Sequence, residues 1–315
     1  MPWQRPSTSS AARRPPLLAE MMHQSCGMQP PTIREALARA RAKLSSRTSE
    51  ALLEAEVLLA HVLGQTRAYL YTHPERRLTY TEWRAYEEIL HQRVAGQPVA
   101  YLLRHREFYG LDFIVDPRVL IPRPETELLG ERVLVLTQKD PPAAARWLLA
   151  DVGTGSGAIA ISIAVHRPRA LIYAIDLSAA ALDVAALNAQ RHGVSERVVL
   201  LHGDLLEPLP KPVHLVLANL PYLGDKSWAA LPEEIAQHEP RSALYGGPEG
   251  LDLYRRLLLQ APGHLLPHGH LLLEIDPQQA LPLKALAAQV FRPPVKTFTW
   301  PDLAGHDRVL EIEVP

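Results

Sequence analysis

The sequence has little cysteine, almost no net charge and no long apolar run. Its one cysteine, Cys26, excludes an internal disulfide or a metal site built from several cysteines, and it fits a reducing compartment such as the cytoplasm. No apolar stretch is long enough to cross a bilayer, so we expect no membrane partner. The net charge of −1 lacks the basic excess that stable nucleic-acid binding requires. A local basic surface remains an alternative, because four arginines lie close together in the sequence: Arg104, Arg106, Arg118 and Arg123.

The composition indicates a folded protein with a substantial hydrophobic core. Hydrophobic residues make up 47% of the 315 positions and charged residues 21%, which is typical of a globular chain with room for two domains. Residues 1–31 differ, because they combine prolines, a Ser/Thr patch and arginines with almost no acidic residues. Such a segment cannot bury enough apolar surface to order itself, so we predict a disordered leader. This interpretation includes an over-called start upstream of Met28, and a transit peptide is the alternative.

Three patterns divide the remainder. Residues 32–104 carry apolar side chains at helical spacing, with Ser49 and Thr81 as candidate N-caps, and predict a small helical domain. Residues 105–121 alternate and predict a β-hairpin linker. Residues 122–315 begin with a helix led by Pro124 and then alternate strand and helix, which predicts a doubly wound α/β sheet closed by an antiparallel C-terminal hairpin. Its predicted strands are 147–152, 171–175, 198–201, 214–218, 271–275, 295–300 and 308–313.

The first of these strands runs into a glycine-rich loop, DVGTGSGAIAI (151–161). Such glycines let the backbone approach a ligand but do not identify that ligand, because nicotinamide enzymes use a similar loop. The acidic residues around the loop distinguish a dinucleotide from S-adenosylmethionine. Asp151 would repel the pyrophosphate of a dinucleotide, whereas the ammonium and sulfonium groups of S-adenosylmethionine favour a nearby acid. Asp176 is placed to accept both ribose hydroxyls, and Asp204 to accept from the adenine amino group with Leu205 against the ring. The simpler alternative is that each aspartate only caps the next helix.

Residues 217–225, LANLPYLGD, raise a second question, because a proline follows a short apolar stretch that predicts a buried strand. Pro221 cannot continue a central strand, so Asn219 lies at the carboxyl end of that strand, where open α/β sheets bind ligands. An ordinary turn is the simpler interpretation.

Six ordered motifs resemble those of the glutamine-N5 methyltransferases that modify peptide chain release factors. They are LIPRPETE (120–127), DVGTGSGAIAI (151–161), AIDLS (174–178), ANLPY (218–222), EPRSALYGGPEGLDLYRRLL (239–258) and LLLEI (271–275). The resemblance runs from about Thr32 to the C-terminus and implies a helical substrate-recognition domain, a hairpin linker and a class I methyltransferase domain.

For the site, the resemblance implies that S-adenosylmethionine is bound, without a metal, by the residues Gly153, Thr154, Gly155, Ser156, Gly157, Asp176, Leu205 and Asn219. It implies that the substrate glutamine is held by Asn219, Leu220, Pro221 and Tyr222. The expected reaction transfers a methyl group to the side-chain nitrogen of the glutamine in the Gly-Gly-Gln loop of a release factor.

One position departs from the family's Asn-Pro-Pro-Tyr tetrad, because Leu220 replaces the first proline. Asn-Leu-Pro-Tyr also occurs in ribosomal RNA adenine-N6 methyltransferases, which supply the alternative function. Those enzymes lack the LIPRPETE and GGPEGLD segments and place their helical domain after the catalytic one. A catalytically silent cofactor-binding adaptor is a third hypothesis, against which the intact Asn219, Pro221 and Tyr222 argue.

The tetrad suits an amide substrate. An amide nitrogen is a weak nucleophile because its lone pair is delocalised into the carbonyl, so it must be held in line with the methyl group. The Asn219 side-chain oxygen and the main-chain carbonyl of residue 220 are two neutral acceptors for the NH2 hydrogens, Pro221 fixes the backbone, and Tyr222 is expected to stack on the amide. We therefore expect the side chain of residue 220 to be exchangeable. No dedicated general base is visible, since the methylated nitrogen can lose its proton to water.

Overall fold

The computed structural model describes residues 29–139 and 146–315. The predicted disordered leader lies outside the described residues, apart from positions 29–31. Across the two described ranges, no helix has both the length and the apolar character that a membrane span needs.

The first part of the described chain is helical. Its helices pack around a core that includes the fully buried Leu58, Leu59 and Tyr86. The helices are α1 (Ile33–Leu44), α2 (Ala51–Leu63), α3 (Arg67–Thr72), α4 (Tyr80–Val94) and α5 (Val99–Leu103).

Two predicted helix caps are wrong. Helix α2 follows Glu50 and has no side-chain cap, so Ser49 does not cap it. Helix α4 is capped by Thr79, whose side chain accepts from the N–H of Glu82, while the Glu82 side chain accepts from the N–H of Thr79. Thr81 lies inside the first turn. A capping box needs an acid or glutamine three residues after the cap, which Thr79 has and Thr81 lacks.

A short hairpin connects the helices to the sheet. Strands β1 (His105–Phe108) and β2 (Leu111–Ile114) pair antiparallel. The hairpin ends before the predicted residue 121, because Pro117 and Pro122 lack the N–H that a strand ladder needs. A 3₁₀ turn at Pro124–Thr126 then leads into α6 (Glu127–Leu136), so Pro124 opens the helical stretch as predicted.

The remaining described chain forms a seven-stranded sheet in the order β5-β4-β3-β6-β7-β9-β8. Strands β3 to β7 are parallel, and β9 runs antiparallel between β7 and β8. The doubly wound sheet and its antiparallel C-terminal hairpin are therefore confirmed. The strands are β3 (Trp147–Val152), β4 (Ala170–Asp176), β5 (Val198–His202), β6 (Val213–Ala218), β7 (Leu265–Glu274), β8 (Lys296–Pro301) and β9 (Asp307–Glu313).

Helices cover both faces of this sheet, because neighbouring strand residues point to opposite sides. Ala150 and Val216 belong to the core that contains α11 (Asp252–Gln260) and α12 (Ala280–Val290). Leu149 and Leu215 belong to the core that contains α6, α7 (Ala158–His166) and the hairpin. The strand order reverses between β3 and β6, which opens a crevice at their carboxyl ends. The helices are α7 (Ala158–His166), α8 (Ala179–Arg191), α9 (Asp225–Ala229), α10 (Glu233–His238), α11 (Asp252–Gln260) and α12 (Ala280–Val290), with 3₁₀ turns at Arg241–Ala243, Ala261–Gly263 and Pro277–Gln279.

Candidate active site

The carboxyl ends of β3, β4 and β6 border a cavity of about 330 Å³, a size that is usual for small-molecule sites. The structure brings most of the predicted site residues together on its walls: Gly153, Gly155, Asp176, Asp204, Leu205, Asn219, Leu220 and Pro221. The other predicted site residues do not line it: Thr154, Ser156, Gly157 and Tyr222.

The glycine loop turns sharply because its glycines adopt left-handed backbone conformations. The φ angles of Gly153, Gly155 and Gly157 are 75°, 56° and 80°. A Cβ at Gly157 would lie 2.7 Å from Cδ1 of Ile161, and one at Gly153 would lie 3.0 Å from Cδ2 of Leu220. A Cβ at Gly155 would meet no atom within 4 Å, and this residue lines the cavity. Gly155 is therefore the position where a side chain would occupy the space open to a ligand.

Asp151 lies behind the loop rather than on the cavity wall. Its Oδ2 accepts hydrogen bonds from the Thr154 hydroxyl (2.7 Å) and from the N–H of Ala160 (3.2 Å). Complete burial raises the pKa of Asp151 to about 6, against the lowering effect of these two bonds. Asp151 and Thr154 therefore hold the loop in shape, and the expectation that Asp151 attracts a cationic ligand directly is corrected.

Asp176 faces both the loop and the cavity. Its Oδ2 accepts from the N–H of Gly155 (2.9 Å), and its Oδ1 accepts from the N–H of Ser178 (2.8 Å). Burial raises the pKa of Asp176, and these hydrogen bonds oppose the increase. Because each carboxylate oxygen can accept more than one hydrogen bond, Asp176 can also accept hydroxyl donors from the cavity. Asp204 lines the same cavity and forms an ion pair with Arg256.

The tetrad begins where β6 ends. The Nδ2 of Asn219 donates to Oγ1 of Thr126 (3.1 Å), and Oδ1 accepts no hydrogen bond from residues 29–139 or 146–315. Leu220 is 4% exposed, and its carbonyl oxygen lies 3.4 Å from the hydroxyl of the buried Tyr254. That carbonyl therefore shares its acceptor capacity with a buried donor, although its second lone pair is available.

Tyr222 lies behind the other tetrad residues. Its hydroxyl is 3.4 Å from Oε1 of Glu274, the last residue of β7, and burial together with the Glu274 charge raises the Tyr222 pKa. Glu274 is 2% exposed, and burial raises its pKa to about 7, against the lowering effects of Thr126, Arg308 and Tyr222. Stacking of Tyr222 on a substrate amide stays a prediction, since the ring does not line the cavity.

The GGPEGLD segment supports the tetrad through close backbone packing. A Cβ at Gly246 would lie 2.2 Å from the carbonyl oxygen of Pro221, and one at Gly250 would lie 2.0 Å from that of Tyr222. The Nε2 of Gln279 joins the two segments by donating to the carbonyl oxygens of Tyr222 (3.0 Å) and Gly250 (2.9 Å). These glycines shape the chain around the tetrad.

Several polar residues of the site were missed from the sequence. The Glu239 carboxylate accepts from the N–H of Ile121 (3.1 Å) and pairs with Arg123, which ties the LIPRPETE segment to the chain after the tetrad. Thr126 and Glu274 contact the tetrad directly. Each of the three lies inside a quoted motif, and a polar residue within such a motif was the signal that could have found it.

The charge around the cavity suits a cation better than a phosphate. The charged side chains on its walls are Asp176, Asp204 and Arg118, and Arg118 is paired with Asp116. Asp176 forms no salt bridge with any described residue. Among residues 29–139 and 146–315, no cluster of His, Cys, Asp and Glu side chains is arranged to hold a metal ion.

Comparisons with known protein families and structures agree with this geometry. Residues 35–103 match the family described as PrmC N-terminal domain, and residues 129–241 match the family described as Methyltransferase small domain. The crystal structure of the hMettl16 catalytic domain bound to an RNA hairpin shares the fold, with a TM-score of 0.53, 15% identity, and coverage of 70% of this chain and 83% of that chain.

Curated relatives are similar over most of their length. The release factor glutamine methyltransferase of Moorella thermoacetica is 44% identical over 281 residues, which cover 88% of this chain and 96% of the relative. The protein of the same name from Koribacter versatilis is 40% identical over 260 residues, which cover 82% and 89%. The chain belongs to the release factor glutamine methyltransferase family.

Proposed function

We propose that this protein transfers a methyl group from S-adenosylmethionine to the side-chain amide nitrogen of the glutamine in the Gly-Gly-Gln loop of a peptide chain release factor. The observation that carries the proposal is the position of Asn219. It stands on the wall of the cavity beside the glycine loop, with Nδ2 engaged by Thr126 and Oδ1 free to accept. Membership of the family supports the same reaction.

The residues around the cavity fit S-adenosylmethionine. Gly155 leaves the backbone open to a ligand, Asp176 offers carboxylate oxygens to the ribose hydroxyls, and Asp204 and Leu205 form the wall where the adenine would lie. Thr154, Ser156 and Gly157 contribute by shaping the loop. When bound, this cofactor supplies an electrophilic methyl group on a sulfonium, so that the S–CH3 bond breaks as the N–CH3 bond forms.

Asn219 and Leu220 hold the nucleophile. The Asn219 Oδ1 and the Leu220 carbonyl accept the two hydrogens of the substrate NH2 and align its nitrogen, which is worth several kcal/mol of barrier in positioned reactions. Because both acceptors are neutral, they do not trap the sulfonium in an ion pair before reaction. Pro221 fixes the backbone between them and Tyr222. After transfer, the nitrogen releases one proton to water.

The acceptor glutamine must come from an exposed loop, and flanking glycines let its backbone enter a narrow cavity without side-chain clashes. We assign recognition of the rest of the release factor to the helical domain, residues 32–104, joined through the linker 105–121 to a catalytic domain at 122–315. Arg93 of α4 pairs with Glu234 (2.8 Å) and Arg47 with Glu233 (3.2 Å), so the helical part contacts the segment that follows the tetrad. Binding energy at this remote surface can be used for alignment.

The proposal is tested by incubating the protein with labelled S-adenosylmethionine and either a purified release factor or small-subunit ribosomal RNA. We expect label on the release factor and none on the RNA. Label on adenine with an unmodified factor would favour the alternative function, ribosomal RNA adenine-N6 methylation, which the leucine at position 220 suggests.

A further inference from the structure

Thr126 and Glu274 lie behind the tetrad and have no role in the reaction as described so far. We propose that Thr126 is a positioning residue that sets the orientation of the Asn219 side-chain amide, and that it does so because its hydroxyl proton is directed to the Glu274 carboxylate. This inference rests on the proposed function, because the amide orientation matters only if Oδ1 of Asn219 accepts from a substrate NH2.

The orientation of an asparagine amide decides whether it helps or opposes this substrate. Oδ1 can accept from the substrate NH2, whereas Nδ2 would present a second donor to it. The Thr126 hydroxyl is 3.1 Å from Nδ2, and Thr126 is 5% exposed, so this contact is shielded from water. A hydroxyl can donate as well as accept, however, so the contact alone allows either orientation.

Glu274 removes this ambiguity. An ionised carboxylate only accepts, the Thr126 hydroxyl lowers the pKa of Glu274, and the Tyr222 hydroxyl lies 3.4 Å from Oε1. Oε2 has no hydrogen-bond partner of ordinary geometry among the described residues, so the carboxylate keeps acceptor capacity for the Thr126 proton. With that proton directed to Glu274, the Thr126 oxygen accepts from Nδ2 and Oδ1 is left for the substrate.

The surroundings of Glu274 determine when it is ionised. Arg308 of β9 favours its charge and Glu125 of the 3₁₀ turn opposes it. Tyr222 and Tyr254 also face this carboxyl, and the Tyr254 hydroxyl donates to the main-chain carbonyl of Glu274. Burial raises the Glu274 pKa to about 7. Below that pH the protonated carboxyl can itself donate to Thr126, so we expect kcat to rise with pH through about 7.

Two substitutions at Thr126 separate positioning from packing. Thr126→Val keeps the volume and removes the hydroxyl, and Thr126→Ser keeps the hydroxyl and removes the methyl group. We expect Thr126→Val to lower kcat about tenfold, within the range expected for a lost hydrogen bond, with KM for the release factor unchanged. Thr126→Ser should recover most of the lost kcat. A packing role predicts the reverse order, with Thr126→Ser the weaker enzyme, and that result would overturn the proposal.

Three further measurements test the same inference. In the Asn219→Ala background, Thr126→Val should lower kcat no further, because the group that it orients is gone. The Asn219 side-chain NH2 signals, identified by their loss in Asn219→Ala, should exchange with solvent faster in Thr126→Val. In Glu274→Gln the rise of kcat near pH 7 should disappear. An active wild-type protein with unchanged Thr126→Val kinetics would refute this inference alone. A release factor that stays unlabelled, while NH2 exchange is still faster in Thr126→Val than in wild type, would refute the proposed function alone.

Discussion

Replacing Gly155 with alanine separates backbone strain in the glycine loop from contact with a ligand. Gly155 has a φ of 56°, and Gly193, which follows α8, has a φ of 66°. An added Cβ would meet no protein atom within 4 Å at either position. Gly155 lines the cavity and Gly193 does not. The two substitutions therefore impose similar strain, and only Gly155→Ala adds a methyl group to the cavity.

The expected effects differ in kind. A left-handed conformation costs an L-residue roughly 1–2 kcal/mol, and the reduced freedom of the unfolded chain recovers about 0.4–1 kcal/mol. Both variants should therefore lose about 1 kcal/mol of unfolding free energy. A methyl group forced into a filled site costs roughly 1–3 kcal/mol. Gly155→Ala should thus weaken S-adenosylmethionine binding by about fivefold to a hundredfold, while Gly193→Ala should leave the Kd unchanged.

Calorimetric titration with S-adenosylmethionine measures the Kd, and urea denaturation at the same pH measures stability. Comparable unfolding free energies would show that the variants are matched. A Gly155→Ala protein that binds the cofactor as tightly as wild type would show that the cofactor does not occupy the space beside Gly155. An equal loss of cofactor affinity in Gly193→Ala would show that backbone strain, and not contact with the ligand, is the cause.

Four other substitutions test the remaining site residues. Asp176→Ala should weaken cofactor binding by about 1–3 kcal/mol in the same titration, and tight NAD binding without binding of the methyl donor would contradict the assignment. Asn219→Ala should lower kcat about a hundredfold at unchanged cofactor Kd, so near-normal label transfer would count against its role. Leu220→Pro should keep turnover, and a folded but inactive variant would show that more than the carbonyl matters. The pKa of Asp151 is raised to about 6, so the wild-type protein loses stability as the pH rises through that value. Asp151→Asn should therefore gain about 1 kcal/mol of unfolding free energy relative to wild type when the pH is raised from about 5 to about 7.5, and urea denaturation at the two pH values measures this difference.

The strands and the glycine loop could be predicted because their signals are local. Strand β3 has the predicted limits, since the start of an apolar run marks its first residue and the glycine loop begins directly after its last. The antiparallel pairing of the last two strands could be predicted because the connection between them is too short for a helical crossover. The helix caps were harder to predict, because Ser49, Thr79 and Thr81 are similar candidates and only the acid three residues later distinguishes Thr79.

The back of the site could not be predicted in this way. Thr126 meets Asn219 across 93 positions of sequence, and Tyr222 meets Glu274 across 52, so no local pattern reports these contacts. Asp151 shows the same limit, because its position beside the loop suggested a ligand contact, whereas the fold turns its side chain into the protein.

The proposed methyl acceptor is the glutamine of the release factor's Gly-Gly-Gln loop. Peptide mapping by mass spectrometry identifies the acceptor, after incubation of a folded release factor with S-adenosylmethionine and either wild-type or Asn219→Ala protein. We expect one methyl group on the side-chain nitrogen of that glutamine with wild type, almost none with Asn219→Ala, and poor modification of a short peptide that carries the same triplet. A methyl group on a different residue, or a release factor left unmodified by the wild-type protein, would contradict the account.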